Sequence, residues 1–232
     1  MKLKVFIFTA ALAVSGGTTT QATVALSNWE ASAPAEIETG AMDWMGKEFT
    51  TGSGAAGWGL ETVSFQARPV ANGSQAGFYL DLFSDSAGVP GSRLARLTGA
   101  DPAGSGLREY TYTAPANTKL GPNKRYWLVT SGADMYPADY YLGTRTAGDN
   151  GFTGLPGWSF GAGLTGSPDQ GADWYSFPSE RNPMFQLNIG PADPVPEPGQ
   201  WAMMGVVALG IAGYVVRRRA ATAKVGYQSP SV

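Results

Sequence analysis

The chain has 232 residues, with 16 Lys+Arg against 18 Asp+Glu, and contains neither cysteine nor histidine. Those two absences exclude a disulfide framework, a Ser-His-Asp triad, a Cys-His dyad and any imidazole metal site. The net charge of −2 conceals an uneven distribution: residues 23–193 hold ten basic and seventeen acidic residues, while the other six basic residues flank two apolar segments near the ends. An acidic body without a basic patch argues against a nucleic-acid partner. Gly52-Ser53-Gly54 is a lone glycine pair with no Gly-Lys-Ser/Thr behind it, so it marks a turn and not a phosphate cradle.

The first element is a basic start, Met1-Lys2-Leu3-Lys4, followed by an apolar run from Val5 to Val14 and small or polar residues from Ser15 to Gln21. This order predicts a secretory signal peptide over residues 1–22, with the Sec machinery and signal peptidase as partners. Thr20-Gln21-Ala22 places small residues at −3 and −1, which puts cleavage after Ala22, with Ala25 as second choice.

Residues 23–193 suit one domain. They contain short alternating runs separated by Gly, Pro, Ser and Thr. Leu60 to Gln66 lies between a glycine and, three residues on, a proline. Phe78-Tyr79-Leu80-Asp81-Leu82-Phe83 sets Phe78, Leu80 and Leu82 on one face. Arg93 to Leu97 follows the Pro90-Gly91 turn, and Glu109 to Thr113 sets Tyr110 and Tyr112 on one face. Tyr126 to Thr130 is an apolar run expected at the centre of a sheet, and Phe185, Leu187 and Ile189 point inward from Met184 to Ile189. Period-2 runs of this length predict an all-β class: a single antiparallel β-sandwich of seven to nine strands, jelly-roll or immunoglobulin-like. Gly148 to Ala172 is a glycine-rich segment expected to be tied down by its own Phe152, Trp158 and Phe160.

Candidate chemistry in the body is sparse. Asp81, Asp85 and Asp149 offer carboxylates to calcium, but Asp85-Ser86-Ala87-Gly88 lacks the spacing of a calcium loop, and a type I turn capped by Asp85 explains it as well. Asp134 and Asp139 would serve glycoside hydrolysis only across a cleft that sequence does not display. Loop aromatics beside carboxylates suit sugar stacking, and Tyr140, Trp158 and Trp174 are the candidates for it, although aromatics more often serve cores. No catalytic residue, metal or cofactor is expected. Glu48-Phe49-Thr50-Thr51-Gly52, Phe78 to Phe83, Ser84 to Gly91 and Tyr126-Trp127-Leu128-Val129 together resemble the choice-of-anchor domains of bacterial surfaces, the anchor R-like type. That resemblance, over about residues 45 to 190, implies a β-sandwich surface domain without assigned catalytic residues.

The last elements form a tail of three segments. Pro194, Pro196 and Pro198 remove backbone donors and hold the preceding residues extended, so this stretch is expected to be open to a protease. Trp201 to Val216 carries no charge, and its helix would span roughly 24 Å against a bilayer core of about 30 Å. Counting the membrane helix as 199–216, with snorkelling arginines, closes most of the gap. Trp201 is the interfacial aromatic, and Arg217, Arg218 and Arg219 stay cytoplasmic with the tail 220–232, which leaves the body outside. Val195-Pro196-Glu197-Pro198, then Trp201-Ala202-Met203-Met204, an apolar helix and an arginine cluster resemble the PEP-CTERM sorting signal over 194–219. The resemblance implies recognition and cleavage near Val195, Pro196, Glu197 and Pro198 by an exosortase-like membrane transpeptidase, in bacteria that make extracellular polysaccharide. The expectation is therefore an exported, non-enzymatic protein, held briefly at the inner membrane and then at the cell surface or in the matrix. The alternative is a carbohydrate-binding module associated with exopolysaccharide.

Overall fold

The computed structural model describes residues 22–29, 35–54, 57–71, 77–133, 140–146, 151–162, 164–177 and 182–191. These belong to a compact unit, Thr20–Asp193. In chain order its strands are β1 (Thr23–Ser27), β2 (Ala35–Thr39), β3 (Trp44–Thr50), β4 (Trp58–Pro69), β5 (Phe78–Ser86), β6 (Val89–Leu97), β7 (Arg108–Thr113), β8 (Lys119–Leu120), β9 (Arg125–Gly132), β10 (Tyr140–Thr144), β11 (Thr153–Gly154), β12 (Ser159–Phe160), β13 (Leu164–Ser167), β14 (Tyr175–Phe177) and β15 (Phe185–Pro191). The described residues contain no helix, and so none long and apolar enough to cross a membrane.

The strands form two antiparallel sheets, in agreement with the expected class. The count of seven to nine is corrected to fifteen among the described residues. The extra strands include β8, β11 and β12, of two residues each, too short to show a period of two. One sheet runs β11-β1-β15-β4-β10-β2, with β7 and β8 also on β4; the other runs β14-β13-β3-β9-β5-β6, with β12 on β3. The twelve-residue β4 organises the first sheet. Thr62 to Phe65 pair with β15 on one side and β7 on the other, and β10 continues the β15 side at Ala67 to Pro69.

Alternation then builds the core. Val63, Phe65 and Ala67 from β4, Tyr112 from β7 and Leu187 from β15 meet Phe49, Phe78, Leu80, Leu82 and Leu128 of the other sheet in one buried cluster. The Phe65 and Phe78 rings, one from each sheet, stack with centroids 5.0 Å apart. Tyr110 and Tyr112 share a face against Phe65, as the alternation requires. β9 lies between β3 and β5, and Tyr126 to Thr130 are buried throughout, so its outer face is covered as well as its inner one.

The β5–β6 hairpin departs from the expected type I turn. Ser86 pairs with Val89 across Ala87 and Gly88, whose φ values are 54° and 90°. Positive φ at both central residues defines a type I′ turn, whose twist matches that of the strands. Asp85 still caps it, accepting from the Gly88 amide at 3.3 Å. Alanine is the strained member, since a Cβ disfavours the left-handed region. Ala87→Asn should therefore stabilise the protein by about 0.5–1 kcal/mol, read as a higher urea midpoint at constant slope. A lower midpoint would contradict the turn assignment.

Candidate functional site

Of the sequence-predicted site residues, Val195, Pro196, Glu197, Pro198, Trp201, Arg217, Arg218 and Arg219 lie outside the described residues. The three aromatic candidates are described: two belong to the main core and one to the smaller cluster. Tyr140 opens β10 and is fully buried, its ring edge-on to Phe78 at 5.1 Å. Trp158 is 4% exposed, parallel to Phe49 at 6.4 Å and meeting Trp58 at 5.9 Å. The turn that inserts it is local: Trp158 N donates to Leu155 O at 3.0 Å across Pro156-Gly157, with Gly157 at φ 80°. Proline then glycine at these positions specifies a type II turn. The expectation that Tyr140 and Trp158 offer faces to a sugar is corrected by this burial: both faces are spent on the core. The glycine-rich segment is indeed held by its aromatics, with Phe152 edge-on to the buried Phe160.

Trp174 alone of the three remains half-buried. It sits on the outer face of the β3–β9–β5 sheet, 6.4 Å from Trp44, which in turn meets Phe83 at 6.4 Å. Trp127 and Val129 of β9 complete this second, smaller cluster. Trp44 and Trp127 were missed as members. The available signal was the apolar run of β9, which needs cover on both faces. The loop that carries Trp174 is braced by Asp169, which accepts from Ser167 Oγ at 2.8 Å and Asp173 N at 2.9 Å. The Asp173 amide and then the Ser167 hydroxyl hold the Asp169 carboxyl below its ordinary range. Tyr175 and Phe177 beyond it are 53% and 39% exposed.

Two of the three calcium candidates, Asp81 and Asp85, are otherwise engaged. Asp81 is 1% exposed and accepts from Arg96 Nε and Nη2, both at 2.8 Å. Asp85 Oδ1 accepts from Trp127 Nε1 at 3.0 Å, with Arg125 Nη1 at 3.8 Å. Asp149, Asp134 and Asp139 lie outside the described residues. Among the described residues no group of three or more Asp and Glu is arranged to hold a metal ion.

One buried cation was not anticipated. Lys47 on β3 points into the interior and is 1% exposed. Its Nζ donates to Gly161 O and to Asn182 Oδ1, each at 2.7 Å, and lies 5.7 Å from the centre of the Phe160 ring. Burial lowers its pKa to about 8, against a smaller opposing effect of Glu48.

Residues 194–219 match the PEP-CTERM protein-sorting motif. The motif implies exosortase-dependent sorting of an exported surface protein: an exosortase as membrane partner, membrane association during sorting, and a place at the cell surface afterwards. No curated protein and no solved structure matches the chain.

Proposed function

We propose that this is a non-enzymatic surface or extracellular-matrix protein whose C-terminal segment is cut near Val195-Pro196-Glu197-Pro198 by an exosortase-like transpeptidase. The observation that carries the reading is the position of the sorting motif. It begins at residue 194, three residues after β15 ends at Pro191, so a cut in the motif leaves every strand of the β unit intact. The missing histidine and cysteine support a role without imidazole-activated nucleophiles or thiol chemistry. At the other end, signal-peptide cleavage after Ala22 leaves β1 whole. Cleavage after Ala25 would remove three of its five residues, including Thr23 and Val24, which pair with Ile189 and Asn188. A choice-of-anchor type domain fits the same picture of a displayed β unit.

Mass spectrometry of the protein from the surface fraction tests this. The expected mature chain begins at Thr23 and ends within or just after the Pro-Glu-Pro stretch. Recovery of residues 199–232 on the surface protein would remove the processing claim.

A second reading keeps sugar recognition but moves it. Trp174, half-buried on Trp44, forms the edge of the outer aromatic cluster, and the exposed Tyr175 follows it in the chain; such rings stack on the apolar faces of sugars. On a glycan array the full chain would bind, and Trp174→Ala with Tyr175→Ala would lose most of the signal. Absence of binding by the unaltered chain would eliminate this reading.

A further inference from the structure

We propose that Lys47 and Asn182 condense into an intramolecular amide bond that joins the two sheets of the β unit covalently. The chain has no cysteine, so no disulfide can do this. The two side chains come from opposite halves of the fold. Lys47 lies in β3 of the second sheet, and Asn182 stands ahead of β15 in the first. They are 135 residues apart in sequence, and the amine touches the Asn182 side-chain oxygen at 2.7 Å. The carbon to be attacked is bonded to that same oxygen.

The surroundings hold the two groups together and keep water away from them. Both residues are 1% exposed, so bulk water competes poorly with the amine, and the product amide is shielded from hydrolysis. Asn182 is held in place: its carbonyl accepts from Arg145 N at 3.0 Å. The next residue, Pro183, bridges to Thr144 and accepts from Asn28 Nδ2 at 3.0 Å. Gly161 O fixes the amine from the other side. Two reactants held this way face a largely intramolecular barrier. The lowered basicity of Lys47 raises the share of neutral amine, the nucleophilic form.

The step balances without a co-reactant. The lone pair of neutral Nζ attacks Cγ of Asn182 and a C–N bond forms. The Cγ–Nδ2 bond breaks, and a proton released by Nζ travels to Nδ2, so that ammonia departs. Nothing is oxidised or reduced. The product keeps one N–H on Nζ for Gly161 O and the carbonyl oxygen on Cγ.

The full chain, purified folded and held above pH 8, is digested with trypsin and its peptides are weighed. The expected result is one branched peptide joining the segment around Lys47 to the segment that starts at Asn182, lighter than the two together by one ammonia, with no cleavage after Lys47. Lys47→Met should abolish the branched species, and Asn182→Asp should retain it with loss of water instead of ammonia. Linear peptides from the unaltered folded chain, with Lys47 cut by trypsin and Asn182 unmodified, would overturn the proposal. That measurement stands whether or not either variant folds.

Discussion

Replacing Phe65 by alanine is expected to destabilise the protein by about 3–5 kcal/mol, which is much of the margin of an ordinary domain. Phe65 is 1% exposed at the centre of β4. Its register partners on the two sides are Tyr110 and Phe185. Its ring also meets Tyr112 at 5.2 Å and, across the interior, Phe78 at 5.0 Å. Truncation removes the ring's transfer free energy and leaves a void, because four aromatic neighbours anchored in three other strands, one of them in the facing sheet, cannot all close onto it. Phe65→Leu retains most of the volume and should cost roughly half as much. Urea titration followed by tryptophan fluorescence checks both values. A loss below about 1.5 kcal/mol for the alanine variant would mean that this is not the centre of the core.

The second large effect is on the buried carboxylate of β5, Asp81. Arg96→Ala is expected to cost about 2–4 kcal/mol, because it leaves Asp81 buried without its bidentate partner. Arg93 lies 3.7 Å from Asp81 and is half-exposed, a poor substitute. Arg96 also loses its place over the Tyr79 ring at 3.6 Å. The hydrogen bonds to Asp81, above all, raise the Arg96 pKa, so the charged pair is the form the fold retains. The reverse change, Asp81→Ala, should cost less, since the Arg96 side chain is 38% exposed and can turn to water. Arg93→Ala should fall within about 0.5 kcal/mol of the unaltered protein, as surface pairs usually do. The order Arg96, then Asp81, then Arg93 is the test. If Asp81→Ala proved the most damaging, the carboxylate would be holding more than its arginine.

Much of the fold was legible because alternation is a local property. Phe185, Leu187 and Ile189 could be assigned inward from a six-residue window, and they line the core. The run Tyr126 to Thr130 marked a central strand for the same reason, and β9 is one. The aromatics were not legible in this way. Tyr140 follows Pro137-Ala138-Asp139, and Trp158 follows Pro156-Gly157, company typical of an exposed loop. Yet a strand sends successive side chains to opposite faces and a type II turn can drive its last residue inward, so polar neighbours say little about one ring.

The sequence by itself determined the all-β class, the strand faces and the sorting segment at 194–219, because each is written in residues adjacent along the chain. Only the tertiary structure decided which aromatics are core, where Trp44, Phe83, Trp127 and Trp174 meet, and that Lys47 reaches Asn182 through the interior. These are contacts between segments as many as 135 residues apart. Their geometry is set by strand register and sheet packing, and no local pattern encodes either.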